Sequence, residues 1–312
     1  MSGAPQIDAS GVGGRPGRFA VGVIGTGRVG SVLGAALARA GHRVVAASAV
    51  SDRSRRRAAE LLPGTPLLAP PEVAAAAELL VLAVPDDVLP ELVVGLADAG
   101  LFRPGQTAVH PSGRHGIGVL EPARIRGVLP LALHPVMSFA GTDVDLARLT
   151  GCSFGVTAPE AFRPMAETLV VEMGGEPEWI AEANRALYHA ALAFGANYLT
   201  TLVAQSAELL ARAGVAEPGR MLGPLLGATL DNTLRSGDAA LTGPVARGDA
   251  GTVAAHLAQL GRLAPVPGGA DPLVSAYLAL ARLTADRALE AGLLAPERAG
   301  ELLEVLNEDG GR

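Results

Sequence analysis

RFAVGVIGTGRVGSVLGAALARAGHRVVAAS, residues 18–48, decides how this chain is read. An apolar run from Phe19 to Ile24 reads as a strand and ends in a glycine turn. Val29, Leu33 and Leu37 then recur at helical spacing. Gly41 supplies a helix stop, and Val44 and Val45 open a second β-branched run. Strand, turn, helix and strand within about 30 residues make one βαβ unit.

The turn itself, Gly25-Thr26-Gly27-Arg28-Val29-Gly30, matches GxGxxG in the setting that gives this pattern meaning. Gly25 permits the tight turn, Gly27 lets backbone approach a pyrophosphate, and Gly30 lets helix and strand pack closely. The helix amino end offers free N–H groups and positive potential to phosphate. After the second strand come Ser48, Ser51, Arg53 and then Arg55-Arg56-Arg57. Hydroxyls and guanidinium groups bind a 2′-phosphate through charge-assisted hydrogen bonds, whereas a carboxylate there repels it. NADP(H) is therefore expected ahead of NAD(H); Asp52, as a displaced ribose acid, is the alternative. Val84 and Pro85 end another strand, at the sheet edge beside the nicotinamide ribose.

Working outward, 312 residues exceed what one core usually serves, so two domains are expected. A net charge of −6 argues against nucleic acid as a partner. No apolar run approaches the roughly 18 residues of a membrane helix. Residues 1–17 read as a flexible Gly/Pro-rich lead without a secretory h-region, so a cytoplasmic location is expected. The lone Cys152 reads as a small buried hydrophobe. No metal cluster is evident. All 25 basic residues are arginine, which excludes any lysine-based mechanism.

Further strands are expected at Leu79–Ala83, Gln106–His110, Val128–Leu133 and Ser153–Thr157. Strands alternating with helices make residues 18–181 a doubly wound parallel sheet. From residue 182 to the end the pattern is helical, starting with one long helix of roughly 30 residues. Helix stops fit at Gly214, Gly237, Gly261, Gly292 and Gly300.

Two strand ends carry polar groups toward the same crevice. Ser112 and Gly113 suit a substrate carboxylate, and His134 suits a hydroxyl or carbonyl. His110 reads as a core histidine bonded to backbone, and His115 as solvated. Within ALYHAALAFGAN, residues 186–197, His189 and Asn197 share a broad helix face two turns apart, with Ala193 between them. That face either points at the substrate or bonds neighbouring helices. Gly195 in a helix interior costs about 1 kcal/mol, so a close neighbour is expected to compensate. Arg247, on a Gly/Pro-bounded loop, suits a bidentate carboxylate clamp. Asp249 reads as an N-cap.

This layout resembles the superfamily of β-hydroxyacid dehydrogenases, ketopantoate reductases and pyrroline-5-carboxylate reductases. The resemblance implies a Rossmann domain followed by an all-helical domain like that of 6-phosphogluconate dehydrogenase. The segments HPSG (110–113), LALHPVMSFAG (131–141) and ALTGPVARGD (240–249) are similar to a bacterial family known as Rossmann-like with a C-terminal domain of unknown function. In ketopantoate reductases a lysine on the long helix is followed by asparagines four and eight residues later. His189 stands at the lysine place and Asn197 at the second asparagine, while Ala193 departs from the pattern. Ser112 and His134-Pro135 look like the serine and histidine that contact substrate in prephenate dehydrogenases, although the SHLPH-type helix of that family is missing. The implied activity is NADP-dependent reduction of a small 2-oxo acid, ketopantoate-like, or an imine, in an interdomain cleft. His134 or His189 would be the acid, and Asn197, Ser112 and Arg247 would position the substrate. A prephenate-type dehydrogenase and a non-catalytic dinucleotide-binding regulator are the alternatives. Related enzymes dimerise through the helical domain, so a homodimer is expected.

Overall fold

A computed structural model describes residues 17–263 and 272–308. The expected lead, apart from Gly17, lies outside the described residues. One compact unit ends at Asn197 and the other begins at Tyr198. The sequence reading placed this boundary at 181/182. The first unit runs further because Arg185 and Tyr188 bond into its sheet: Arg185 donates to the Gly155 carbonyl, and Tyr188 bonds His134.

The first unit alternates strands and helices: β1 (Ala20–Ile24), α1 (Arg28–Arg39), β2 (Arg43–Ser48), α2 (Asp52–Leu61), α3 (Pro70–Ala76), β3 (Leu79–Leu82), α4 (Leu89–Asp98) and β4 (Thr107–His110). A 3-10 turn at Ile117–Leu120 leads into α5 (Glu121–Arg124), then β5 (Leu129–Pro135), α6 (Val144–Arg148), β6 (Ser153–Thr157), α7 (Arg163–Glu172) and β7 (Glu176–Trp179). The seven strands form one sheet in the order β2-β1-β3-β4-β5-β6-β7. The chain crosses from β2 over β1 to β3, so the order reverses beside β1, which is where open α/β sheets bind ligands.

The doubly wound parallel sheet read from sequence is present, with its direction reversed at β6. β6 runs antiparallel to β5, with His134 opposite Gly155. The physical reason is the connection. Residues 136–152, which hold only the five-residue α6, bring the chain into β6 at the edge where β5 ends. β7 was not foreseen: Glu-Pro-Glu-Trp alternates exposed and half-buried residues but is only four long and contains a proline, and it pairs parallel to β6 at the sheet margin. Two apolar layers cover the sheet. One packs Val32, Leu33 and Leu37 of α1 with Leu131, Leu133, Phe154 and Leu169. The other packs Val73, Leu80, Leu82, Leu89, Val93 and Leu120. Cys152 sits in the first layer as a free, buried thiol.

The expected long helix is built in pieces: a 3-10 turn at Glu182–Asn184, α8 (Arg185–Leu192), a π-helical turn (Ala193–Asn197) and α9 (Tyr198–Arg212). Gly195 lies in the π turn, and among the described residues none comes within 4 Å of where a Cβ would stand, so the close neighbour expected there is not among them. The wider turn, not a packed partner, accommodates it.

The second unit is helical: α9, α10 (Pro218–Ser236), α11 (Ala250–Leu263), α12 (Pro272–Glu290) and α13 (Pro296–Glu308). Its core gathers Val253, Leu257, Leu278, Ala285, Leu302 and Leu306. Asp249 accepts from the Thr252 amide at 3.0 Å, the N-cap read from sequence. Gly214, Gly237 and Gly292 follow helix ends in positive-φ conformations. Gly261 and Gly300 do not stop helices; they lie inside α11 and α13 with open space around them. α10 buries Leu222 and leaves Met221, Leu225, Leu230 and Leu234 exposed. No described helix is long and apolar enough to cross a membrane.

Candidate active site

β1, β3, β4 and β5 are mutually parallel, so their carboxyl ends share one edge of the sheet. The glycine turn leaves β1 there. Gly25 has φ 95°, and a Cβ on it would lie 2.5 Å from the Ala83 carbonyl oxygen. A Cβ on Gly30 would overlap the Gly25 carbonyl oxygen and lie 2.7 Å from the Ala83 Cβ. Gly27 differs: nothing lies within 4 Å of its Cβ position. It is also the N-cap of α1, with no side-chain capping bond and no acid in the first turn. An open, uncapped, positive helix end fits a phosphate.

The turn is clamped from β2. Thr26 is fully buried, and its hydroxyl reaches the carbonyls of Ser48 and Ser54 at 3.1 and 3.2 Å. Ser48 Oγ accepts from the Gly25 amide at 3.1 Å. Ser51 caps α2 in a reciprocal box with Ser54. Arg53 stands exposed in the first turn of α2, and Asp52 pairs with Arg55 at 3.1 Å. Arg28 is exposed and Val29 half-buried. Val84 lies beside Gly25, its Cγ1 3.3 Å from that residue's Cβ position. Pro85 continues this loop. The loop after β5 adds a feature not read from sequence. Buried Asp145 accepts from the Gly141 amide at 2.7 Å, and Gly141 lies against both Arg57 and Arg28.

At the ends of β4 and β5 the polar groups converge. His110 is fully buried; its Nε2–H donates to the Gly116 carbonyl at 2.9 Å, and its Nδ1 accepts from the Ser112 amide at 3.3 Å. It shapes the loop, as the sequence indicated. Ser112 is buried, and its Oγ accepts from the His115 amide at 3.1 Å. His115 is not solvated as expected: its Nε2 bonds the Asp86 carbonyl at 3.0 Å, which ties the β4 loop to the β3 loop. Gly113 backs onto two histidines. A Cβ there would lie 2.6 Å from His189 Cδ2 and 2.9 Å from His134 Nε2.

His134 and His189 meet edge to face, with ring centroids 6.3 Å apart. Both line a pocket of about 190 Å³ with Ser138, Ala193 and Asn197. The structure thus brings together His134, His189, Gly113 and Asn197. Arg247 belongs to the second unit, exposed on the loop before α11. Among the described residues no His/Cys/Asp/Glu cluster of metal-binding form occurs.

Two residues were missed. The Tyr188 hydroxyl and His134 Nδ1 share a hydrogen bond of 2.7 Å. Arg185, 2% exposed, has its guanidinium 5.7 Å from the Tyr188 ring centroid. The signal was available: Arg185 precedes Tyr188 by three residues and His189 by four, the spacings that share a helix face.

Burial, set against the bond to Gly116, lowers His110 to about 3 from 6.5. The unfolded chain therefore binds this proton first. The stability contribution is full above about pH 6.5 and is lost as pH falls toward 3. At pH 5 the loss is about 2 kcal/mol from this residue alone. Urea unfolding of wild type and His110→Gln at pH 7.5 and 5 is expected to show the wild type losing about that much more. Equal losses would remove His110 as the cause.

Two family models match the sequence: a Rossmann-like domain over residues 4–135 and a domain of unknown function, DUF2520, over residues 152–284. No curated protein matches. Among solved structures, a Bacteroides fragilis protein named as a candidate NADP oxidoreductase is 22% identical with TM-score 0.69, over 86% of this chain and 98% of that one. An imine reductase from Pseudomonas sp. is 21% identical with TM-score 0.62, over 93% and 100%. A pyrroline carboxylate reductase from Plasmodium falciparum, solved with NADP bound, is 14% identical with TM-score 0.52, over 91% and 98%. At these identities the likeness is one of fold. From the glycine turn at the end of β1 into the helices of the second unit, the chain matches a Rossmann-like domain followed by a DUF2520 domain.

Proposed function

We propose that this protein is an NADP-dependent oxidoreductase that reduces the C=O or C=N group of a small substrate, a 2-oxo acid or an imine. One observation carries the reading: the open helix end at Gly27 and the His134–His189 pocket stand on the same sheet edge. β1 and β5 are three strand spacings apart, about 14 Å, a span that an extended dinucleotide covers. The names of the neighbours in fold support the same class.

The amides of Gly27 to Gly30 would hold the pyrophosphate, Ser51 and Arg53 the 2′-phosphate, and Val84 and Pro85 the ribose next to the redox ring. When bound, the reduced dinucleotide supplies a hydride. The protein's own residues do the rest. Gly113 leaves room for the two imidazoles, Asn197 offers an amide to the substrate, and one histidine delivers the proton. A panel of 2-oxo acids and cyclic imines, followed by NADPH consumption, tests this. Turnover of one class is expected; tight NADPH binding with no turnover of any member would make the chain a binder.

Cofactor choice has its own test. A hydrogen bond to a charged group contributes about 1.5–3 kcal/mol. Arg53→Ala is therefore expected to weaken NADPH about 10- to 100-fold and leave NADH unchanged, read by calorimetry. Equal weakening of both would move the 2′-phosphate site elsewhere, with Arg57 next to be tested.

A further inference from the structure

His134 is bonded on one side, packs against the side-chain-free Gly113 on the other, and lines the pocket shared with His189. Its Nδ1 lies 2.7 Å from the Tyr188 hydroxyl, and its Nε2 lies 2.9 Å from where a Cβ of Gly113 would stand. The Tyr188 hydroxyl lies close against Gly155, where a Cβ would overlap it. Beside that ring lies Arg185. One of its N–H groups donates to the Gly155 carbonyl at 3.2 Å, while Nε and Nη2 have no partner among the described residues. No described carboxylate pairs with it; Glu182 instead accepts from the Ile117 and Gly118 amides. A buried guanidinium without a carboxylate is costly, and an anion beside it would offset that cost.

We propose that His134, Tyr188 and Arg185 form a proton relay, in which Tyr188 reloads His134 as His134 protonates the substrate. This rests on the reductase reading above. The Nε2–H bond breaks as an O–H or N–H bond forms on the substrate. The Tyr188 O–H bond breaks at the same time, and its proton goes to Nδ1. The imidazole ends neutral, in the opposite tautomer. Nε2 then takes a proton from water as Nδ1 returns its proton to the phenolate beside Arg185, which restores the starting tautomer. The electron pair on the reduced carbon is that of the nicotinamide hydride.

The electrostatics agree. Burial first, then Arg185 and His189, push His134 down to about 4, with Asp86 opposing. At neutral pH His134 is an uncharged imidazole, and it acts as an acid only if a proton replaces the one it gives. Burial pushes Tyr188 up, with Cys152 adding to the rise, while Arg185 and the Gly155 backbone pull it down. The phenol thus stays loaded through the physiological range.

Tyr188→Phe keeps the ring and removes the proton. NADPH affinity by calorimetry and substrate KM are expected to stay unchanged, while kcat falls about 100-fold or more. The pH profile should change shape. Wild type is flat from pH 6 to 9, whereas the variant needs protonated His134 and gains about tenfold per unit as pH falls toward 5. Nitrogen-15 spectra of histidine-labelled protein give a readout independent of turnover: His134 as the Nε2–H tautomer with a bonded Nδ1, the bond being lost in Tyr188→Phe. A variant within threefold of wild type, a pH profile of unchanged shape, or a His134 Nδ1–H tautomer would each overturn the relay. Wild type that binds NADPH but reduces nothing would overturn the reductase reading and the relay together. Active wild type with an equally active variant overturns the relay alone.

Discussion

Alanine at Gly27 is expected to leave the protein folded and weaken NADPH about 10- to 100-fold, whereas alanine at Gly30 is expected to damage the fold. The two glycines are three residues apart in one motif, and physical chemistry separates them. Gly27 has φ −70° and ψ −165°, a conformation open to alanine, and nothing lies within 4 Å of the new methyl. Gly-to-Ala at a compatible site is neutral or stabilises by about 0.4–1 kcal/mol. The methyl would fill space that a pyrophosphate needs, and losing one charged hydrogen bond costs about 1.5–3 kcal/mol of affinity. At Gly30 the methyl would overlap the Gly25 carbonyl and crowd Ala83. Overpacking of this kind costs about 1–3 kcal/mol or more, so the thermal midpoint should fall with or without ligand. Calorimetry with NADPH and thermal melts of both apo variants check this. A Gly27→Ala protein that binds as wild type does would remove the turn from the cofactor site.

The glycine turn was legible because only one local geometry satisfies GxGxxG between a strand and a helix. Residues 18–48 state that geometry without help from the rest of the chain. The direction of β6 was not legible, because it depends on the path of residues 136–152 and not on anything within Ser153–Thr157. β7 alternates over only four residues and holds a proline, too short a pattern to read as a strand; it pairs along the edge of β6. The His189–Asn197 pair was placed on a regular α-helix, and the π turn at Ala193–Asn197 changes that register. Both residues nevertheless line the same pocket. Tyr188 was not singled out within the apolar run 186–197, and only its bond to His134 across 54 positions of chain reveals its use. His115 looked solvated for the opposite reason: its partner is a backbone carbonyl on another loop, invisible to any local pattern.

The second large effect concerns the two histidines. His134→Asn is expected to lower kcat by about 10²- to 10⁴-fold, the range for loss of a general acid. The thermal midpoint should change little, because the asparagine still offers Tyr188 a hydrogen-bond partner. His189→Ala is expected to lower kcat less. Its ring stands 6.3 Å from that of His134, but Tyr188 bonds His134 and so replenishes that residue. Turnover of the best panel substrate, together with melts of both variants, decides the assignment. A larger loss at position 189 would move the proton donor there, and two stable, fully active variants would remove both from the chemistry.

The central claim is that one sheet edge seats the dinucleotide at Gly27 and its redox ring at the His134–His189 pocket. Nuclear Overhauser contacts between the nicotinamide C4 hydrogens of bound NADPH and the histidine ring protons, assigned with His134→Asn and His189→Ala, test it most directly. Contacts to at least one of these two rings are expected. Saturable binding with C4 contacts to neither, or no binding by well-folded protein, would contradict the account.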